Sequence, residues 1–158
     1  MASPVVLAVC LGNICRSPTA EAALREAAGE LGVDLDIRSA GTGDWHVGLP
    51  PDARMQEAAS ALGLTLAGRA DQVDAVTLKT ADLVLAMDRS NLADLEGLAQ
   101  KNGVRANIRL FREFDVEADG DLDVPDPYYG GGEGCTDVVI MVRRTSRRIV
   151  ELIASGEL

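Results

Sequence analysis

A formal net charge of -10 on 158 residues argues against sequence-independent nucleic-acid binding, which needs many basic contacts to phosphates. It does not oppose a phosphate ligand, because screening over about 8 Å at physiological salt lets local donors outweigh distant carboxylates. The length suits one domain over residues 1–158 with a single core. The apolar stretches fall short of a membrane span and no basic segment precedes the first of them, so the expectation is a cytoplasmic protein with no membrane partner. Three cysteines supply no disulfide framework and agree with a reducing compartment.

In chain order, apolar runs at Val5 to Val9, Leu35 to Ile37, Leu83 to Met87 and Ile108 to Phe111 read as short buried strands. Helical patterns lie between them and after them: Thr19 to Leu31, Asp52 to Leu62, a weaker turn near Val73 to Thr80, Asn91 to Gln100, and Asp137 to Ile153 with Thr136 as N-cap. Strands alternating with helices predict an α/β fold, an open parallel sheet of about four strands covered on both faces. Ligands in such sheets bind beyond the carboxyl ends of the strands.

The first strand runs straight into Cys10-Leu-Gly-Asn-Ile-Cys-Arg16-Ser17-Pro18 and then a helix. Backbone N–H groups from Leu11 to Arg16, through Gly12, Asn13, Ile14 and Cys15, converge on one point if this loop curls, and Gly12 permits a backbone angle that a side chain would obstruct. The helix start adds unpaired donors and the positive end of its dipole. Arg16 supplies a planar fork for two phosphoryl oxygens, and Ser17 a hydroxyl for the sulfur. Such donors stabilise a thiolate on Cys10, which points to in-line attack on phosphorus through a cysteinyl-phosphate. A proton for the leaving oxygen is available from Asp126 in Asp126-Pro-Tyr-Tyr-Gly130, where Pro127 restrains the aspartate to extended backbone.

With these groups in place the chain resembles the low-molecular-weight protein tyrosine phosphatases over essentially its whole length. The resemblance rests on Cys10 to Pro18, Ser39 to Thr42 with Trp45 to Gly48, Ala86 to Asp88 with Asn91 and Leu92, and Asp126 to Gly130, in that order. It implies a flavodoxin-like fold of the phosphatase I type and hydrolysis of phosphotyrosine proteins and small aryl phosphates, with no cofactor and no metal. It implies Cys10 as nucleophile, Arg16 as phosphate clamp and Asp126 as general acid and base. Asn13 and Ser17 would support the loop, and Trp45, Tyr128 and Tyr129 would wall the cleft. Cys15 resembles a second loop cysteine that can form a disulfide with the nucleophile. Three positions depart from the pattern: Gly68 and Asp71 stand where a histidine and an arginine are common, and Cys135 where an aromatic residue is common.

Other readings stay open. An arsenate reductase would use the same anion loop, but only Cys15 and Cys135 remain to relay electrons. A non-catalytic phosphate-binding module needs neither Cys10 nor Asp126. Asp88 reads as a helix N-terminal residue outside the catalytic set, and the sole histidine, His46, is given no chemistry. Core filling competes with the cleft role of Trp45, and Cys135 reads as structural. The acidic run from Glu113 to Asp126 reads mainly as a solvated loop, and Arg143, Arg144, Arg147 and Arg148 as a solvated helix face.

Overall fold

The computed structural model describes residues 2–129 and 132–158, with Tyr129 and Gly132 described by backbone alone. Four strands, β1 (Val5–Cys10), β2 (Asp36–Gly41), β3 (Leu83–Ala86) and β4 (Ile108–Leu110), form a parallel sheet in the order β2-β1-β3-β4. Each of the first three strands is therefore followed by a crossover. The helices that make these crossovers are α1 (Arg16–Leu31), α2 (Ala53–Ala61), α3 (Ala75–Thr80) and α4 (Arg89–Lys101), and α5 (Gly132–Ala154) closes the chain.

β1 is central and buried through most of its length because both of its faces are covered. Val6, Ala8 and Cys10 point into a core shared with α1, α2 and α5, while Leu7 and Val9 point into a second core shared with α3 and α4. That is the alternation of a strand with period 2, applied to two apolar faces, which is why Val5 to Val9 is uniformly hydrophobic in sequence. Among the described residues no helix is long and apolar enough to cross a membrane.

Of the boundaries that differ from expectation, three have a clear physical reason or consequence. β2 extends to Gly41, because Ser39, Ala40 and Gly41 pair with Ala8, Val9 and Cys10 although that stretch is not hydrophobic. α1 begins at Arg16, three residues before the apolar periodicity starts. α5 begins at Gly132, so Thr136 lies inside it and is not its N-cap.

The acidic run is not a solvated loop throughout. The Asp115 side chain is 0% exposed and accepts hydrogen bonds from Arg112 Nε at 3.1 Å, Arg144 Nε and Nη2 at 2.9 and 3.0 Å, and the Glu117 amide at 3.0 Å. Arg112 also donates to the Asp123 carbonyl, Arg89 N donates to Asp123 Oδ1, and Val124 N to the Met87 carbonyl. The segment leading to Asp126 is thus tied to α5 and to the end of β3. Nor is the α5 arginine face simply solvated: Arg143 binds Glu26 on α1 and the Leu62 carbonyl after α2, and Arg147 pairs with Glu30. Burial works against the charge on Asp115, but Arg144, the Glu117 amide and Arg112 together hold its carboxyl below the ordinary range. A depressed folded-state value stabilises above the unfolded value of about 3.9 and is lost as pH falls through the lower folded one. Asp115→Asn is therefore expected to lower stability at neutral pH by about 3 kcal/mol, Arg112 losing its counter-charge and Arg144 keeping only the exposed Glu117 at 3.4 Å. Denaturant midpoints measured between neutrality and pH 3 should fall less steeply for this variant than for wild type.

Candidate active site

The loop after β1 is shaped by Asn13, whose φ of 56° puts it in the left-handed region that asparagine tolerates better than most residues. The turn brings the Asn13 amide back to 3.2 Å from Cys10 Sγ. Ser17 Oγ lies 3.0 Å from the same sulfur. That hydroxyl accepts from Asn13 Nδ2 at 2.7 Å, so its own proton is directed either to the sulfur or to the Ala40 carbonyl at 3.3 Å. Asn13 in turn donates to Ser39 Oγ at 3.1 Å and accepts from the Asp71 amide at 2.9 Å.

Those contacts explain the Ser39 to Thr42 stretch. Ser39 and Ala40 supply side-chain and carbonyl acceptors, and a Cβ at Gly41 would fall 2.7 Å from the Leu11 carbonyl oxygen and 3.1 Å from Asn13 N. The neighbouring Thr42 and Gly43 amides bond the Cys10 and Leu11 carbonyls at 2.9 Å. The Asp71 departure leaves loop support intact, because the group used there is a main-chain N–H that any non-proline residue provides.

α1 starts at this loop without a side-chain cap, its N-cap being Cys15. α2, α3 and α4 are each capped by an aspartate: Asp52, Asp74 and Asp88. The first amides of α1 are therefore left to whatever anion occupies the loop.

Arg16, on the first turn of α1, is 2% exposed. Its Nη1 donates to Asp88 Oδ2 at 2.6 Å and to the Val124 carbonyl at 3.0 Å, and its Nη2 to Asp126 Oδ2 at 3.4 Å. Burial works against this charge, yet the Cys10 sulfur and the Asp88 and Asp126 carboxylates outweigh it, so the guanidinium stands above its ordinary value. It stays cationic at every pH of interest. Asp88 does two things at once: its Oδ1 caps α4 through the Asn91 amide at 2.7 Å while its Oδ2 holds Arg16. Sequence reasoning gave it only the first. The available signal was its place directly after the end of β3, beside the proposed site.

Burial, then Asp52, the Cys10 sulfur and Asp126, push the Cys15 thiol well above the usual cysteine range, so it stays protonated at neutral pH. Cys10, Cys15 and Cys135 are all buried free thiols. Burial also raises Cys135, which packs in the core with α1 and α2 and does not line the cleft.

The cleft above Cys10 has a volume of about 300 Å³. Leu11, Gly12, Ile14, Cys15 and Arg16 form its floor, with Trp45, His46, Asp126 and Tyr128 around them. Trp45 is 69% exposed and lies against Gly43, where a Cβ would meet its ring at 1.8 Å. It is a rim residue, not core filler. His46 packs over Gly12, where a Cβ would come within 2.8 Å of its ring, and is tilted at 54° against Tyr128 with centroids 5.6 Å apart. The cleft thus includes a histidine to which sequence reasoning assigned nothing. The side chain of Tyr129, also expected in the wall, lies outside the described residues.

The Cys10 sulfur beside the Asn13 amide and the Ser17 hydroxyl, the Arg16 guanidinium and the Asp126 carboxyl group meet at one cleft, a set of groups that suits an oxyanion. Comparison with known proteins agrees. The family model for low molecular weight phosphotyrosine protein phosphatase matches residues 5–156. A low molecular weight protein-tyrosine-phosphatase of Streptomyces coelicolor is 40% identical over 148 residues, covering 92% of this chain and 90% of the relative. A crystal structure of a protein tyrosine phosphatase from Entamoeba histolytica, with Hepes in its active site, superposes with a TM-score of 0.91 at 30% identity, covering 99% of this chain and 100% of that one. The YwlE arginine phosphatase, as a cysteine-to-serine mutant with a phosphorylated active site serine, superposes at 0.84 with 25% identity over 95% of each chain. On the matched span and the shared fold, the chain belongs to the low molecular weight phosphotyrosine protein phosphatase family and is a phosphatase enzyme.

Proposed function

We propose that residues 1–158 act as one domain that hydrolyses phosphotyrosine in proteins, and small aryl phosphates, through a phosphoryl group carried on Cys10. The observation that supports this most is the convergence on one cleft of Cys10 Sγ, with donors at 3.0 and 3.2 Å, and of Arg16 and Asp126, whose side chains meet at 3.4 Å. In the first step the Cys10 sulfur attacks phosphorus in line; the S–P bond forms, the aryl P–O bond breaks, and Asp126 as the neutral acid protonates the departing oxygen. In the second, the Asp126 carboxylate takes a proton from the attacking water, the P–S bond breaks, and inorganic phosphate and the Cys10 thiolate are released. Arg16, with the Leu11 to Cys15 loop amides, carries the charge on the phosphoryl oxygens in both steps. In the YwlE structure the active site serine that replaces a cysteine is itself phosphorylated, which supports a covalent route here.

The apolar surroundings favour an aromatic ring as the group carrying the phosphate. Ile14, Trp45 and Tyr128 offer flat or apolar surface, and Asp126 is the one carboxylate lining the cleft among the described residues. A phosphoarginine substrate is the second reading, raised by the likeness to an arginine phosphatase. Matched peptides carrying either group decide between them: phosphotyrosine is expected to turn over faster, and a reversed order would favour the second reading. An arsenate-reducing thiol relay has little support, since Cys135 is buried and does not line the cleft.

Asp126→Asn is expected to slow phosphoryl transfer by about 10²-fold for phenyl phosphate and by about tenfold or less for 4-nitrophenyl phosphate, whose leaving group needs less help. Single-turnover rates with the two esters read this difference. Equal losses for both would remove Asp126 from the acid role.

A further inference from the structure

The turn that carries Asp126 is held from two sides, and the family resemblance accounts for only one of them. On the inner side Arg16 reaches Asp126 Oδ2 at 3.4 Å, a long contact made by the guanidinium that must also serve the phosphoryl group. On the outer side is Arg54, in the first turn of α2. Its Nη2 donates to the Tyr128 carbonyl at 2.8 Å, two residues beyond Asp126. The Tyr128 amide in turn donates to Asp126 Oδ1 at 3.0 Å.

The base of this arm is fixed independently. The Asp52 amide donates to the Ile14 carbonyl of the anion loop at 2.8 Å, Asp52 Oδ1 caps α2 by accepting from the Arg54 and Met55 amides at 2.9 and 3.2 Å, and Met55 is fully buried in the core. Asp52 Oδ1 also lies 3.5 Å from Arg54 Nε, which steers the guanidinium. A continuous run of bonds therefore leads from the anion loop, through the start of α2, to the acid turn and back to Arg16.

Resting on the reading above, we propose that Arg54 is a positioning residue for Asp126: it braces the acid turn on the anion loop through α2, so that the carboxyl stays over the cleft when Arg16 turns its fork to the phosphoryl oxygens. A neutral backbone carbonyl bonded by a charged donor makes a firmer anchor than a neutral pair. The brace leaves the anion loop itself untouched, so its loss should damage proton delivery and spare anion binding.

The test compares wild type, Arg54→Ala, Arg54→Lys, Asp126→Asn and the double variant Arg54→Ala/Asp126→Asn. Single-turnover rates are read with phenyl phosphate and 4-nitrophenyl phosphate, alongside inhibition by inorganic phosphate. Arg54→Ala should slow phenyl phosphate by about tenfold and 4-nitrophenyl phosphate by less than about threefold, with the phosphate inhibition constant within about twofold of wild type. Arg54→Lys, which can still donate to the Tyr128 carbonyl, should recover most of the loss. Added to Asp126→Asn, Arg54→Ala should cost less than about twofold further, since the two act through one group. Hydrogen exchange at the Tyr128 amide should quicken in Arg54→Ala. Equal slowing of both esters, a weakened phosphate affinity, or full additivity with Asp126→Asn would overturn the proposal. If Asp126→Asn alone shows no leaving-group dependence, the acid assignment itself fails; if it does and Arg54→Ala does not, only the brace is refuted.

Discussion

Cys10→Ser will lower turnover of an aryl phosphate by at least about 10⁴-fold, while inorganic phosphate still binds. The reason lies in what surrounds the sulfur. The Asn13 amide at 3.2 Å and Ser17 Oγ at 3.0 Å are spaced for a sulfur atom, and a serine oxygen is smaller, nearer its own Cβ, and ionises far above neutral pH. Such donors cannot make an alkoxide abundant. The groups that hold an anion remain: the uncapped start of α1, the loop amides and Arg16. Steady-state rates and phosphate protection in a thermal melt separate the two effects. Mass spectrometry of quenched wild-type protein should find the phosphoryl group on Cys10, and its appearance on another residue would reject the mechanism.

Arg16→Lys should cost about 10²- to 10³-fold in kcat/KM and weaken phosphate binding as well. One guanidinium here serves Asp88 Oδ2, the Val124 carbonyl and Asp126 Oδ2, and must keep a fork for the phosphoryl oxygens. An ammonium is a single point and cannot span them. Asp88→Asn separates clamp from charge: the amide oxygen can still cap α4 through Asn91 and Arg16 keeps Asp126 Oδ2 and the Val124 carbonyl, so stability should fall less than in Asp115→Asn, while loss of the carboxylate loosens Arg16 and lowers kcat/KM by about tenfold. Rates and urea midpoints measured on the same preparations distinguish this from unfolding. A large drop in midpoint with no change in rate would return Asp88 to a purely capping role.

The anion loop was legible because its chemical groups are local. Cys10 ends a strand, Arg16 begins a helix, and the tight loop between them carries its own backbone donors, so residue types in that order pointed to an anion cradle, while its support from Ser39 and Asp71 did not show. Asp126 was named because the chemistry needs a proton donor, and the resemblance supported the choice, since nothing near an Asp-Pro-Tyr-Tyr turn says which part of the fold it faces. Asp88 was read correctly as a cap, and its second partner went unseen because Arg16 lies 72 residues earlier. Within the acidic run, Asp115 is the residue whose burial went unseen, for the same reason: the two arginines that bind it come from a short turn at Arg112 and from α5 at Arg144, and a charge pattern does not announce its partner.

From sequence alone came the alternation of strand and helix, the two-sided burial of β1, and the chemical identity of the loop, because hydrophobic periodicity and backbone sterics act over a few residues. Tertiary structure alone decided which carboxylates meet Arg16, that Asn13 rests on a main-chain amide of Asp71, that β2 runs on to Gly41, and that His46 and Trp45 frame the cleft. Those outcomes depend on strand order and register, which bring residues tens of positions apart to within 3 Å or so of each other, and a pairing of that kind is settled only when the whole sheet is assembled.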